Sequence, residues 1–558
     1  MRIATIVFLL IAVSTATSKP DSTFAISGVM SISSDMYSAS ADATAGFAPR
    51  RPSSLYRLVF LPEISIHGFR IPLALILSTP QTNTLSQIAP NQTFTQFLQN
   101  PQNVVSIAPK YKSLEVIAGT QTPQYSDLSV GNVPMFGLGV NFQPERFRIA
   151  AFAGTMQRAI EQDSASGTIG SFARRLYALK LGFGKRDEMY FDVNFARATD
   201  EAGSVLRRPT EVLPQEGVNL SLNSFGNLGS GLSLKGEIAT SVFTRNTDSK
   251  RFFDSDISFL DQIIKVYEAT RLDYAGSLAL GLNQDTWGGF AQFRYIGDGF
   301  TPLGYLFFQS DIMEFSVAPY ARFLDNSLSI NASVGWRRDN LINTKSSTTS
   351  QLTYSLNTNW QIVENISLAG NFANYGLRNS IINDTFKVQN VARTFSITPT
   401  VTFGSESIRH TVSATVSLDE YSDLNPLTGN TSSTKTRALF GSYSLALQDP
   451  FIGSVSIGNV TNTYSYGDLS VNSVSVGGSY GFLNKDIVPM LTLGYTSMTL
   501  SNFTPDTQVF LRLSCSARIV ENIRLQVLGT LNMYSYGTSR QGAGFTENFL
   551  QTTLSTPL

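Results

Sequence analysis

From Gln351 to Trp360 apolar and polar residues alternate, with Thr358 the one departure. Leu352, Tyr354, Leu356 and Trp360 fall on one side, and Gln351, Thr353, Ser355, Asn357 and Asn359 on the other. Ser327–Trp336 repeats the pattern, and Thr411–Asp419 sets Val412, Ala414, Val416 and Leu418 against Thr411, Ser413, Thr415 and Ser417. Near the C-terminus Val509, Leu511, Leu513, Cys515, Ala517 and Ile519 oppose Arg512, Ser514, Ser516 and Arg518. A period of two gives a β-strand one apolar and one polar face. Runs of about 9–11 residues suit a tilted strand that crosses a bilayer, and exceed the ~5–6 usual in a soluble domain.

The connections alternate as well. Gln143–Glu145, Gly184–Glu188, Leu324–Asn326, Val363–Asn365, Gly404–Ser407, Asn484–Asp486 and Val520–Asn522 are short. Met156–Phe172, Thr199–Gly217, Arg337–Ser350, Asn374–Asn390 and Glu420–Ser433 are long. Short periplasmic turns at one rim and long extracellular loops at the other are the organisation of an outer-membrane barrel. Roughly twenty strands follow Arg146 on this hairpin rhythm. Before it the pattern predicts Thr23–Ser33, Ser54–Ile66, Phe69–Ser78, a short pair around Val104–Ala108 and Lys112–Gly119, and Met135–Phe142. The expectation is an all-β fold, a single large transmembrane antiparallel β-barrel of about 26 strands. Without the weak Val104–Gly119 pair the number becomes about 24, still even.

Composition narrows the class further. Of 558 residues 42% are hydrophobic and 15% charged, and the net charge is zero; soluble proteins carry about 25% charged residues. Neutrality argues against a nucleic-acid partner. After the N-terminus no apolar run reaches the ~18 residues of a spanning helix, and a closed barrel is the other structure that satisfies its backbone in lipid. Residues 1–18 read as a secretory signal, with Arg2, the apolar run Ile3–Val13 and small residues at Ser14, Ala16 and Ser18. Residues 19–558 are then the barrel. Strand signals from Thr23 onward leave no room for an N-terminal plug domain. A lone Cys515 excludes an internal disulfide.

Candidate chemistry is sparse. The two histidines are His67, at a predicted turn, and His410, at the head of a strand. Ser413 is close to His410 in sequence but points the other way by alternation, which weighs against a hydrolase. No spacing fits a zinc or calcium site or a phosphate-binding helix, so no catalytic, metal or cofactor residue is assigned. Gln351, Thr353, Asn357, Ser413, Arg512, Arg518 and Arg524 are expected to face the lumen. Arg174-Arg175, Arg207-Arg208 and Arg337-Arg338 read as rim residues at the headgroup level, or as contacts to lipopolysaccharide or a partner. Tyr375, Tyr443, Tyr480 and Tyr534 read as interfacial girdles. One stretch breaks the rhythm. Ser255–Glu268 spaces Ile257, Leu260, Ile264 and Tyr267 helically, with Asp254 or Ser255 as N-cap. It predicts a short helix in the longest loop, either a structured external loop or a constriction folded into the lumen.

Several stretches resemble an uncharacterised family of outer-membrane barrels of the Bacteroidetes–Chlorobi kind. They include Ile26-Ser27-Gly28, Ser33–Tyr37, Arg51–Leu58, Ala108–Tyr111, Gly137–Val140 and Arg146–Arg148. The richest runs from Phe293-Arg294-Tyr295 through Gly304-Tyr305-Leu306 to Asp311, and on past Gly335 to Asp339-Asn340-Leu341 and Lys345. The resemblance implies architecture and outer-membrane localisation, and no catalytic residues. Such barrels usually end on an aromatic residue, whereas this chain ends Leu554-Ser555-Thr556-Pro557-Leu558. That leaves a weaker signal for the insertion machinery, or a final strand that stops near Thr553. The function expected is a porin-like or translocation channel of unknown substrate. The runner-up is a structural barrel that docks surface or periplasmic proteins, and an outer-membrane hydrolase is a distant third. Expected partners are outer-membrane lipid, lipopolysaccharide and the barrel-insertion machinery.

Overall fold

A computed structural model of the chain describes residues 24–41, 49–79, 103–131, 133–164, 167–252, 261, 263–448, 450–501, 503–537 and 544–558. The expected signal, 1–18, lies outside the described residues. The described strands form one antiparallel sheet whose pairing follows the order of the chain. The first strand, β1 (Phe24–Ala41), also pairs with the last, β27 (Gly544–Pro557), from Val29↔Pro557 to Ala41↔Phe545. The sheet therefore closes on itself and has no edge.

Of the 27 strand segments, β4 (Val104–Ile107) and β5 (Lys110–Tyr111) are two halves of one stave. Both pair with β3 (Phe69–Ser78) on one side and with β6 (Leu114–Gln121) on the other. The barrel thus has 26 staves, and the hairpin that the sequence marks weakly is part of it. The strands Ser54–Ile66, Phe69–Ser78 and Met135–Phe142 have the predicted bounds. The first strand is longer than the expected Thr23–Ser33: Ser34–Ala41 continues it, paired with Ser54–Ile66 as far as Met36 and with β27 out to Ala41. The final strand runs to Pro557 rather than stopping near Thr553, because it pairs with β1 over its last residues.

Connections are short at one rim. His67-Gly68 closes a two-residue hairpin with φ of 48° and 85°, the left-handed pair that matches strand twist and that glycine adopts at no steric cost. At the other rim the connections are mostly long, including 158–172, 202–215, 245–269 and 297–311. An exception is Ser465-Tyr466, a two-residue turn at the long-loop rim.

The two faces of the wall differ in chemistry. One register carries exposed Leu181, Phe183, Phe191, Leu220, Leu222, Leu352, Leu356, Val416, Leu491 and Leu513. The alternate register carries Asp192, Asn194, Ser221, Glu237, Thr353, Asn357, Ser413 and Arg512. Water must be kept from the first face or the exposure would be costly at ~25 cal/mol per Å2. The apolar register is therefore the outside of the barrel, and the polar register lines the lumen.

Candidate functional site

The lumen wall is of two kinds. On the half that contains β17 (Thr349–Val363), β20 (Ile408–Asp423), β25 (Asp506–Val520) and β26 (Ile523–Ser535), inward residues are accessible to water. All seven expected lumen residues lie there on the inward register. Gln351, Thr353, Asn357 and Ser413 are half-buried, and Arg512, Arg518 and Arg524 are exposed. They do not converge on one site. Asn357 accepts from Asn371, and Ser413 shares a hydrogen bond of 2.6 Å with Ser442. Arg518 pairs with Asp486 and lies opposite Arg524 in register. Two of the four expected girdle tyrosines also turn inward. Tyr375 sits opposite Thr353, and Tyr534 stacks on Phe545 at 4.2 Å beneath Arg50. Tyr443 and Tyr480 keep the outward register.

The other half of the lumen is covered. It comprises β8 (Phe147–Gln157), β9 (Ala173–Lys185), β10 (Met189–Glu201), β11 (Glu216–Gly229), β12 (Leu232–Thr244), β13 (Thr270–Asn283), β14 (Trp287–Ile296) and β15 (Ile312–Phe323). Two loops from the long-loop rim fold down onto its inner face, the described residues of 122–134 and the stretch 297–311. Tyr125, Val130 and Leu303 pack against inward Phe152, Leu176, Ala178 and Ala196. Leu128 and Phe300 pack against inward Ala239, Ala275, Ile296 and Ile312. The loops join through a bridge between Val130 and Gly304, and the Tyr305 hydroxyl donates to the Ser126 carbonyl at 3.0 Å.

Polar groups tie this insert to the wall. Leu128 N–H donates to Glu237 at 3.1 Å, Ser126 and Ser221 hydroxyls lie 3.0 Å apart, and Lys235 Nζ is 2.8 Å from Asp127. Gly299 N–H donates to Asp273 at 2.6 Å and Thr301 N–H to Ser241 at 3.0 Å. Lys235 is the fourth residue of β12 from the tight-turn rim, so the first loop reaches deep into the barrel. Beneath it Arg148 and Asp192 form a buried pair at 2.6 Å, with Lys180 3.7 Å from the same carboxylate. Such charges persist in a dry wall because each has a partner.

Asp311 fixes the end of the second loop. Its buried carboxylate accepts from Asn340 N–H at 3.0 Å and Leu341 N–H at 2.7 Å, and pairs with Lys345 Nζ at 2.5 Å. Burial pushes this carboxyl up, but the Lys345 ammonium and the two amides outweigh it and hold it below its usual range. Asp311, Asn340, Leu341 and Lys345 all belong to the stretch richest in the family resemblance.

Half of the predicted constriction helix lies outside the described residues. Ile257 and Leu260 lie outside the described residues, and residues 263–269 form turns and extended chain, not helix. Arg251 and Tyr267 pair in an antiparallel bridge, and Phe252 N–H donates to the Val266 carbonyl at 3.1 Å. Ile264 and Val266 are buried against Val218 and Val242, beside Phe195 and Leu272. Those four carry the outward register. Ile264-Lys265-Val266 has a period of two, which suits extended chain, and its apolar side covers the outside of the wall near the long-loop rim. The insert that does enter the lumen was not legible as such. The signal for it was apolar residues inside long loops, Leu128-Ser129-Val130 and Phe300-Thr301-Pro302-Leu303.

His410 and Ser413 lie on opposite faces of β20. His410 stacks on Phe403 at 4.9 Å and bonds the Tyr443 hydroxyl at 2.8 Å, on the outer surface.

No protein-family description matches the chain, and no curated protein matches it. Among solved structures, the translocation pore of the P pilus usher PapC is similar over 95% of this chain and 99% of that one, at 10% identity and a TM-score of 0.41. OccK1 of Pseudomonas aeruginosa is similar over 69% of this chain and 98% of that one, at 11% identity and a TM-score of 0.32. BauA, the ferric preacinetobactin receptor of Acinetobacter baumannii, is similar over 95% and 80%, at 9% identity and a TM-score of 0.37. With these scores the fold assignment rests on the strand pairing of the chain itself.

Proposed function

We propose that the chain is an integral protein of the bacterial outer membrane whose barrel holds a water-filled channel for polar solutes, narrowed on one side by the 122–134 and 297–311 insert. The observation that carries this is a closed ring of strands, apolar outside and polar and water-accessible inside. A barrel of 16–18 strands already leaves an aqueous channel, so a 26-stave ring with two loops against one wall retains space along the other. The residues that line the path are Gln351, Thr353, Asn357, Ser413, Arg512, Arg518 and Arg524. Residues 1–18 direct export, the long-loop rim faces outward, and the barrel-insertion machinery and outer-membrane lipid are its assembly partners. The resemblance to the Bacteroidetes–Chlorobi barrel family supports the same reading.

The test is single-channel recording from the purified barrel in a planar bilayer. Discrete, ohmic conductance steps are expected. A protein that inserts and remains electrically silent overturns the channel. One observation favours the second reading, a docking barrel: Leu206, Phe307 and Ile382, on three different long loops, are 96%, 94% and 94% exposed. Exposed apolar loop residues of this kind suit contact with a partner protein.

A further inference from the structure

Outward-facing basic residues gather on one sector of the long-loop rim, and the sector lacks the acids that would neutralise them. The strands concerned are β16 (Leu328–Asp339), β17, β18 (Ile366–Asn379), β19 (Gln389–Gly404), β20 and β21 (Thr434–Leu447). Arg338 lies opposite outward Met313, and next to outward Trp336 along its own strand's register. Ser350 links it across β17 to Arg378. Arg393 lies opposite Asn374 and Glu420, Lys435 opposite Glu420, and Arg437 opposite outward Leu418. Five cations thus share the face with one carboxylate, Glu420, which Lys435 engages at 3.4 Å.

Their heights agree. In register Arg338 is level with Gln389 and Arg437 with Phe395, a step of six residues into the barrel over five strands. Strands tilted by about 40° and spaced ~4.8 Å apart need a step of roughly one residue per strand to keep a constant depth. The cations therefore form a level belt rather than a diagonal. Directly below it on the same face are Trp336, Tyr354, Phe372 and Phe395.

Apart from Lys435, the belt also has no acidic partner. Among the described residues no acidic side chain pairs with Arg338, Arg378 or Arg437, and the Nε of Arg338 is shielded from solvent without a hydrogen-bond partner. Arg393 donates only to the neutral Asn374 amide, at 3.4 Å. Elsewhere on the same rim outward arginines are neutralised, Arg197 by Glu216 at 2.6 Å and Arg175 by Glu201 at 2.5 Å. A row of guanidinium groups above a row of aromatic rings has the polarity of a lipid, charged head over apolar tails.

We infer that this belt, Arg338, Arg378, Arg393, Lys435 and Arg437, binds the phosphate groups of anionic lipid in the outer leaflet. The inference rests on the membrane-barrel reading. Each arginine adds a fixed, forked donor at phosphate depth and is worth roughly fivefold in partition of an anionic lipid to the sector.

The experiment compares the wild-type barrel with the Arg338→Gln/Arg378→Gln/Arg393→Gln/Arg437→Gln variant. Both are reconstituted in nanodiscs of phosphatidylcholine, with or without one-quarter phosphatidylglycerol, and delipidated into detergent for native mass spectrometry. Wild type should retain phosphatidylglycerol in preference to phosphatidylcholine and gain thermal stability from it. The fourfold Gln variant should lose most of both, and the fourfold Lys variant should recover part. Arg175→Gln/Arg197→Gln, made at the neutralised sites, should behave as wild type. Equal lipid retention by wild type and the Gln variant overturns the belt, as does abolition of the preference by millimolar inorganic phosphate, which would mark a site for a free anion. Barrel folding of every variant is read from gel mobility without boiling, so loss of lipid in an unfolded variant is recognised and the single substitutions then decide. A wild-type chain that never enters a bilayer overturns the membrane reading and the belt together.

Discussion

Asp311 shows how much a single side chain is asked to do in this fold. It closes the 297–311 loop against the next long loop, and its carboxylate is the common acceptor for two backbone amides and the Lys345 ammonium. Asp311→Ala leaves those amides without an acceptor in a buried place, at a cost of about 2 kcal/mol. Lys345 is half-exposed and rehydrates, so the ion pair itself adds little. Hydrogen exchange at Asn340 and Leu341 should accelerate roughly 30-fold in the variant, while the amides of β17 stay protected. The same lock has a pH dependence of definite sign. Its carboxyl is held below the unfolded value of 3.8, so the stabilisation is complete above that value and is lost as the pH falls through the lower folded value. Exchange at Asn340 and Leu341, corrected for the intrinsic pH effect, should be flat from pH 7 to pH 5 and rise only in strong acid. A rise near neutrality would mean that another group holds the loop.

The strands were legible because period two is local information. Ser54–Ile66 and Phe69–Ser78 show their bounds in their own residues, with His67-Gly68 as punctuation. The second half of β1 was not legible, since Ser34, Ser38 and Ser40 carry no alternation, and pairing with Ser54–Ile66 as far as Met36 and with β27 out to Ala41 makes the strand instead. The loops were harder for the same reason. Nothing near Tyr125 or Leu128 in sequence states that their partners are Leu176, Ala239 and Glu237, far along the chain. The Ile264-Lys265-Val266 stretch offers an apolar stripe to a helical count and a β count alike, and the outer wall decided between them. Two loop replacements separate the roles. Replacing residues 124–131 with a Gly/Ser linker removes the lumen insert and should raise single-channel conductance by a clear step. Replacing residues 253–267 removes a cover on the outer wall and should leave conductance unchanged, with some loss of thermal stability. The opposite pattern, with conductance rising only in the second variant, would restore the constriction to the longest loop.

The whole barrel is asymmetric in two directions at once. Around its circumference, one half of the wall is dry and covered by loops while the other is lined by accessible Gln, Thr, Asn, Ser and Arg. Along its axis, tight turns close one rim and long loops crowd the other, with the exposed apolar loop residues and the basic belt all on the long-loop side. If anionic lipid and partner proteins are met outside the cell, that rim must face out. The orientation is directly measurable, because the single native cysteine can be removed as Cys515→Ala. New cysteines would go at Thr428, exposed in the 424–433 loop, and at Glu521, exposed in the tight turn after β25. A membrane-impermeant maleimide applied to whole cells should modify the first and spare the second, and both should react once the outer membrane is permeabilised. Labelling of Glu521→Cys alone on intact cells would invert the barrel. It would put the covered half-wall's loops in the periplasm and turn the belt toward the inner leaflet, so the lipid measurement would then have to be read for phospholipid of that leaflet.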